Sequence, residues 1–273
     1  FANKCWRIVR VGGDGSVKLI LHNDNTTGAA NPCDAANNSV NAAFARYSGT
    51  TYTSAFNEKY DDNAYVGFKY GTPYSYTYEA THANTNNSTI LTNLEAWYDK
   101  NNLKDYEKVI ADTVWCNDKT NVDETYDPWY MSPNGLGYGT NKTFYGATQR
   151  LVSTSRSAGG TGPSLKCNGE LSKINSKVGL ITADELAFAG YAYRIGNTTT
   201  YLQENATDAN WWPLSPNIFN GSYAGVWYVN VSDGFIDVNR VDNTIGVRPS
   251  ISLKPSTNVT GEGTSSSPFI ISM

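Results

Sequence analysis

The segment 226–241 constrains the fold more than any other part of the chain. Two runs of alternating apolar and polar residues, VWYVNVS and FIDVNRV, flank the dipeptide Asp233-Gly234. Such runs on either side of Asp-Gly are typical of a β-hairpin with a two-residue type I′ turn. In a regular ladder Ser232 then faces Phe235, and the pairing continues outward residue by residue. The sequence therefore predicts an antiparallel hairpin here.

The two faces of this hairpin differ in chemistry. We predict that the core face carries the four β-branched residues Val229, Val231, Ile236 and Val238. The opposite face carries Tyr228, Asn230, Asp237 and Asn239. Tyr offers rigid contact area and Asn offers adaptable hydrogen bonds, a mixture found in antibody paratopes. We therefore interpret the polar face as a ligand-binding surface, with plain sheet packing as the alternative.

Other strands and turns can also be predicted from local patterns. Residues 5–11 and 17–22 alternate around a Gly-rich loop, which predicts a second hairpin. Short strands are predicted at 65–70, 178–181 and 246–253, where β-branched and apolar residues cluster. Long polar stretches separate these elements and predict irregular loops.

Two helices have clear start signals. Ser88 is a good N-cap, and apolar residues then recur at helical spacing. They are Ile90, Leu91, Leu94, Trp97 and Tyr98. Thr182 with Glu185 three residues later matches a capping box, and Gly190 follows as a helix stop. The pattern as a whole predicts an α+β fold with an antiparallel sheet, two or so helices and long irregular loops, in one domain spanning 1–273.

Charge and hydropathy exclude two classes of function. The net charge is -4, whereas nucleic-acid-binding domains carry a basic face. No apolar run approaches the 18 residues of a membrane-spanning helix, so the sequence predicts no transmembrane segment.

The four cysteines are Cys5, Cys33, Cys116 and Cys167. They form no CxxC motif and lie far from both histidines, which argues against a zinc site. Two disulfides in an oxidising compartment is the preferred interpretation, and four unpaired thiols is the alternative. Three pairings are possible. The separation into an early and a middle pair favours Cys5 with Cys33 and Cys116 with Cys167.

No catalytic constellation is evident. His22 and His82 are isolated, and the acidic pairs Asp61-Asp62 and Asp123-Glu124 lie in loops where carboxylates are usually solvated. No nucleophile elbow, zincin motif or P-loop is present. The sequence predicts no enzyme activity, no cofactor and no metal site.

A series of motifs then suggests a family. They are, in order, Cys5-Trp-Arg-Ile-Val-Arg10, Ala64-Tyr-Val-Gly-Phe68, Ile110-Ala-Asp-Thr113, Cys116-Asn-Asp118, the block GLITADELAFAG at 179–190, Trp212-Pro-Leu-Ser-Pro216 and Gly246-Val-Arg-Pro249. Through them the chain resembles C-type-lectin-fold surface proteins of gut bacteria and their phages. It is similar to the variable proteins of diversity-generating retroelements and to formylglycine-generating-enzyme-like domains.

This resemblance implies a C-type-lectin-like fold with a variable ligand-binding region at 210–250. In variable proteins of this kind, adenine-directed mutagenesis alters exposed residues near the C-terminus of the fold. The implied ligand-binding positions, together with the aromatic residues of the same stretch, are Asn217, Tyr223, Trp227, Tyr228, Asp233, Phe235, Asp237, Asn239, Arg240 and Asp242. Val231 and Val238 depart from the family's polar pattern, so either they are diversified or the hairpin contains a bulge.

Functions of two related groups are not supported by the residues. Formylglycine-generating enzymes use cysteines near the C-terminus, whereas the last cysteine here is Cys167. Calcium-dependent lectins use Glu-Pro-Asn or Gln-Pro-Asp with Trp-Asn-Asp, and none of these tripeptides occurs. The leading expectation is a non-enzymatic binding protein, outside the cell, on the cell surface or on a phage particle. Its partner would be a protein or glycan on a cell surface. An enzyme related to the sulfatase-modifying group and a structural surface domain are the alternatives.

Overall fold

The computed structural model describes residues 1–272, which fold as antiparallel strands with a few short helices. The strands are β1 Cys5–Val11, β2 Val17–Asn23, β3 Thr53–Ser54, β4 Lys69–Tyr70, β5 Asn86–Asn87, β6 Thr113–Cys116, β7 Thr143–Phe144, β8 Lys173–Ser176, β9 Pro216–Phe219, β10 Ala224–Asn230, β11 Phe235–Arg240, β12 Ile245–Gly246, β13 Ser250–Leu253, β14 Val259–Thr260 and β15 Ile270–Ile271. The helices are α1 Tyr78–Thr81, α2 Thr89–Lys100, α3 Gly146–Leu151 and α4 Ala183–Phe188.

Two small sheets organise these strands. One has the order β1-β2-β13 and the other the order β11-β10-β9-β7, and the remaining strands form two-stranded pairs. All the strand pairs within residues 1–272 are antiparallel. The α+β class is therefore confirmed.

Both predicted helices are confirmed. The Ser88 hydroxyl accepts a hydrogen bond from the Leu91 amide, and the five predicted apolar residues of α2 are buried. Thr182 and Glu185 form a complete capping box at α4. Gly190 follows α4 with φ +98°, a left-handed conformation that glycine adopts without strain.

Three of the predicted strands are wrong in part. Residues 63–66 form a 3-10 turn, and only Lys69–Tyr70 is extended and paired. Residues 178–181 are buried but contribute only an isolated bridge between Gly179 and Ser250. The strand expected at 246–253 is divided into β12 and β13, which join different sheets.

Each central strand lies between two hydrophobic cores. Leu19 and Leu21 of β2 face the larger core around Trp97 of α2, while Ile20 faces a second core. β10 repeats this arrangement, with Val226 in the first core and Trp227 in the second. Both faces of these two strands are therefore covered over most of their length, as in sheets packed on both sides.

Two disulfides hold the loops to this framework. Cys5 is bonded to Cys33, and Cys116 is bonded to Cys167. Both predicted pairings are confirmed, and such bonds are typical of proteins from oxidising compartments.

Candidate ligand-binding surface

The C-terminal hairpin has a longer turn than the sequence predicts. Asn230 rather than Ser232 pairs with Phe235, so residues 231–234 form a four-residue loop. Gly234 has φ +70°, and a Cβ there would overlap the Asn197 carbonyl of a neighbouring loop. The register differs from the prediction by two residues. Because side chains alternate with a period of two, the residues on each face are unchanged.

The predicted core face is confirmed as core. Val229 and Ile236 are fully buried opposite each other, and Trp227 is fully buried beside them. The sequence predicts Trp227 as a ligand contact, which is wrong because its indole is fully buried and packs edge-to-face against Tyr193 at 6.1 Å between ring centroids. Val231 and Val238 are half-buried against apolar clusters. The pairing of β10 with β11 is continuous through Val238, so this ladder contains no bulge, and Val231 lies in the loop that follows β10.

Two further predicted contacts are also removed from solvent. Asn217 in β9 is fully buried, and its carbonyl oxygen accepts hydrogen bonds from Tyr145 N at 3.0 Å and Thr148 Oγ1 at 2.8 Å. Asp237 is buried, and its Oδ2 accepts a 2.7 Å hydrogen bond from Arg194 Nε. Neither side chain lies on the surface, so both predictions are corrected.

The polar face of the hairpin is open only in part. Tyr228 is half-buried and packs against the larger core, on the same face of β10 as Val226. The 3-10 turn Asn63–Val66 packs on this strand. The sequence predicted that Tyr228 points away from the core, and this prediction is wrong because the turn and the larger core cover the middle of the face.

The end of the hairpin far from the turn carries the exposed Arg240 among half-buried side chains. There the guanidinium of Arg240 pairs with Asp242, with Nε at 2.5 Å from Oδ1 and Nη2 at 2.9 Å from Oδ2. The same guanidinium lies over the ring of Tyr60 at 4.5 Å from its centroid. The side-chain hydrogen bond with Asp242 raises the pKa of Arg240. Tyr60, Tyr223, Asn239, Arg240 and Asp242 are hereafter called the hairpin patch.

Backbone contacts fix this patch to the framework. The Ala224 amide at the start of β10 donates a 2.6 Å hydrogen bond to the Tyr60 carbonyl. The half-buried Tyr223 is positioned by its own amide, which donates to Asn220 Oδ1 at 3.0 Å. Tyr60 was absent from the sequence-based site because it lies in an irregular polar stretch, and nothing local there signals a contact with a strand 180 residues downstream.

The turn of the hairpin forms a second exposed group. Asp233 is exposed and Phe235 is half-buried. The Asn230 side chain orders this loop, because its Oδ1 accepts hydrogen bonds from Ser232 Oγ at 2.7 Å and from Asp233 N at 3.2 Å. The predicted contact residues therefore separate into exposed positions at both ends of the hairpin and buried positions between them.

The most specific motif of the sequence, the block at 179–190, is an internal anchor. The Asp184 carboxylate accepts two hydrogen bonds from Arg150, at 2.7 and 2.8 Å, and Arg150 also pairs with Asp118 at 2.7 Å. Glu185 is buried and pairs with Lys18 and Arg10, each at 2.7 Å. These carboxylates are engaged by cations inside the fold, so the motif stabilises the framework.

Other buried titratable groups are scattered. Burial lowers the pKa of His82 to about 3, and its Nε2 donates to the Gly137 carbonyl at 2.8 Å. Burial likewise lowers the pKa of Lys119 to about 7, and its Nζ donates to the carbonyl oxygens of Lys69 and His82, each at 3.0 Å. Within residues 1–272 no cluster of three or more His, Cys, Asp and Glu side chains is arranged to hold a metal ion.

This architecture defines an α+β, disulfide-bonded domain with an exposed polar and aromatic patch at one end of a buried hairpin. A family model described as a domain of unknown function, DUF6273, matches residues 95–255, more than half of the chain. The chain belongs to this family. No curated protein and no solved structure matches this chain. Within residues 1–272, none of the helices has the length and apolar character needed to cross a membrane.

Proposed function

We propose that this chain is a non-enzymatic ligand-binding protein that displays the hairpin patch on a C-type-lectin-like fold, outside the cell or on a cell surface. The observation that carries the proposal is the contrast along one hairpin. Trp227, Val229 and Ile236 are fully buried, whereas Arg240 at the end of the same strands is exposed, with its guanidinium paired to Asp242 and placed over the Tyr60 ring. The Arg240 side chain therefore lies outside the hairpin core.

The chemistry of the patch suits recognition. Tyr and Arg are enriched at the energetic centres of protein interfaces because each offers a large planar surface with a polar end. Here the guanidinium of Arg240 is stacked on Tyr60 and paired with Asp242, so it is already ordered before any ligand binds. Pre-ordering reduces the entropy lost on association.

The distribution of charged groups favours a binder over the alternative enzyme. The buried carboxylates of Asp184 and Glu185 are paired with Arg150, Lys18 and Arg10. General acid–base catalysis needs a titratable group within hydrogen-bond reach of a substrate. The patch instead offers a paired arginine, an amide and two tyrosines.

Diversification of the patch, as in retroelement variable proteins, is the finer part of this proposal. Seven of the implied variable positions are exposed or half-exposed: Tyr223, Tyr228, Asp233, Phe235, Asn239, Arg240 and Asp242. Sequencing the DNA around the coding region tests it. We expect a near-copy of the codons for 210–250 beside a reverse-transcriptase gene, with mismatches at adenines of exposed positions. If the surrounding DNA contains no such copy, diversification is contradicted. Ligand binding by the patch is tested separately, by the variants described next.

That experiment uses a matched pair of double variants on protein and glycan arrays. Tyr60→Ser with Arg240→Ser removes the stacked pair of the patch. Tyr130→Ser with Arg156→Ser removes another Arg–Tyr pair at a similar distance, 4.6 Å from guanidinium to ring centroid, outside the hairpin. We expect array signals of the wild-type chain to disappear in the first variant and to persist in the second. Signals that survive the loss of Tyr60 and Arg240 would refute the proposed surface.

A further inference from the structure

A small cleft lies beside α2, on residues that precede the hairpin by more than 130 positions. Its volume is about 300 Å³, and it is lined by Asn57, Glu58, Lys59, Tyr65, Tyr70, Pro73, Asn86 and Thr89. None of these residues belongs to the hairpin patch. The volume is at the lower end of the range of about 300–1,000 Å³ for small-molecule sites, which suits a single ring.

The floor of the cleft is rigid. The buried Asn57 side chain donates to the carbonyl oxygens of Tyr65 at 2.7 Å and Gly67 at 3.1 Å. The buried Asp62 carboxylate accepts from the amides of Ala64 and Tyr74, each at 2.9 Å. These two side chains fix the segment 57–74 around the cleft, so the cavity exists before a ligand enters.

One wall presents an apolar surface. The half-buried Tyr70 ring meets the Tyr65 ring edge-to-face, with centroids 5.5 Å apart and planes at 65°. Pro73 follows three residues later. In the β4–β5 ladder Tyr70 is opposite Asn86, so the aromatic ring and the amide share one face. An aromatic face next to an amide can hold a ring that is apolar on its C–H face and polar at its edge.

The polar groups of the rim favour a neutral ligand. Glu58 and Lys59 are both exposed there and carry opposite charges. The start of α2 offers no anion site, because Asn57 Oδ1, the Phe56 carbonyl and the Ser88 hydroxyl already accept its first three amides, at 3.4, 3.2 and 3.2 Å. The Asn86 Nδ2 group already donates to the Gly71 carbonyl at 2.7 Å, and Thr89 Oγ1 already accepts from the Glu58 amide at 3.3 Å. The Glu58 carboxylate and Asn86 Oδ1 can therefore accept from ligand hydroxyl groups, and the Thr89 hydroxyl can donate to one.

We infer that this cleft binds one neutral pyranose ring of a saccharide, which stacks on Tyr70 and directs hydroxyl groups to Glu58, Asn86 and Thr89. The cleft shares no residue with the hairpin patch, so this inference stands apart from the proposed function. A hexose of twelve non-hydrogen atoms in an open site of this size gives a dissociation constant of about 1 mM for the free monosaccharide. An oligosaccharide that ends in the same ring would bind with similar affinity.

The test is saturation-transfer NMR on the intact chain with D-glucose, D-galactose, D-mannose, N-acetyl-D-glucosamine and N-acetyl-D-galactosamine as separate probes. We expect transfer to at least one of them, strongest at the C–H protons of the stacked face. Tyr70→Ala should weaken binding at least about tenfold, as expected for loss of a central aromatic contact. Tyr76→Ala is the control, since Tyr76 is 88% exposed and does not line the cleft.

A second variant keeps the test independent of folding. Glu58 is exposed, so Glu58→Ala should melt like the wild type and still weaken binding several-fold, because a hydroxyl acceptor is lost. Absence of transfer from all five sugars would overturn the inference. So would transfer that Tyr70→Ala and Glu58→Ala both leave unchanged. The Tyr60→Ser, Arg240→Ser variant should retain the sugar signal, which separates failure of the cleft from failure of the patch.

Discussion

Replacing Glu185 with Gln should destabilise the fold by about 3–5 kcal/mol. The Glu185 carboxylate is buried and accepts hydrogen bonds from Lys18 Nζ and Arg10 Nε at 2.7 Å and from the Thr182 amide at 2.9 Å. Gln keeps the shape and the capping contact but removes the charge. Lys18, whose side chain is 7% exposed, is then left as an uncompensated buried cation, and breaking such a pair typically costs about this much.

The two cations should differ in their dependence on Glu185. The Arg10 side chain is 34% exposed, so water screens its charge, and Arg10→Ala should cost less than about 1 kcal/mol. Lys18 is the critical partner, and Lys18→Met in the Glu185→Gln background should recover most of the lost stability. Urea unfolding of the four chains in this double-mutant cycle gives the coupling energy directly.

The pH dependence provides a further check on this reasoning. Burial lowers the pKa of Lys18, and the Glu185 charge opposes that shift. Without Glu185, Lys18 binds fewer protons in the folded chain than in the unfolded chain. This difference extends from the lowered pKa of Lys18 in the folded chain to its unfolded pKa of about 10.4, so the variant should regain stability as pH rises through that window. Thermal melting of Glu185→Gln within about 1 °C of the wild type at pH 7 would refute the account, because about 2 °C is expected per kcal/mol for 273 residues.

Two buried titratable groups and one disulfide give three other predictions. His82 is held neutral with a pKa of about 3, so wild-type stability should fall by up to about 1.4 kcal/mol per pH unit as pH drops below about 6.5, and His82→Gln should reduce that slope in urea titrations. Burial lowers the pKa of Lys119 to about 7, so wild-type stability should rise with pH between 7 and about 10.4. Lys119→Met should flatten this rise, and equal slopes of stability against pH in both chains would contradict the prediction. The 51-residue separation of Cys116 and Cys167 implies that Cys116→Ser with Cys167→Ser costs about 4 kcal/mol, measured by thermal unfolding against the intact chain.

Local signals were sufficient where a few neighbouring residues determine the structure. The N-cap at Ser88 and the capping box at Thr182 depend on side chains within one turn, and both appear as predicted. The five apolar positions of α2 are buried for the same reason, since helical spacing alone assigns them to one face.

Long-range contacts explain what the sequence could not predict. The hairpin turn is longer because Gly234 lies against the Asn197 carbonyl and its own carbonyl accepts a 3.0 Å hydrogen bond from the Asn197 amide. The alternation of residues in β11 places Asp237 on the polar face of the hairpin. In the structure Asp237 is buried and forms an ion pair with Arg194 of another loop. A binary pattern assigns faces correctly, but it does not show that a second core covers the opposite face.

The same limitation applies to the candidate site. Three predicted contact residues, Asn217, Trp227 and Asp237, are buried because β9, β10 and β11 are covered by neighbouring elements. Tyr60 joins the patch although it precedes the hairpin by more than 160 residues. Composition identified a stretch rich in recognition residues, and only the three-dimensional packing separates the exposed members from the structural ones.

The central claim is that the hairpin carries a structural core in its middle and a free recognition surface at its end. Thermal melts of Ile236→Ala and Tyr223→Ala test this claim most directly, without a known ligand. Ile236 is fully buried, so its truncation should cost about 2–5 kcal/mol and lower the Tm by about 4–9 °C. Tyr223 is only half-buried, so Tyr223→Ala should cost less than about 1.5 kcal/mol and lower the Tm by less than about 3 °C. A Tyr223→Ala chain that melts as low as Ile236→Ala would show that the end of the hairpin is also structural core, and the proposed surface would be contradicted.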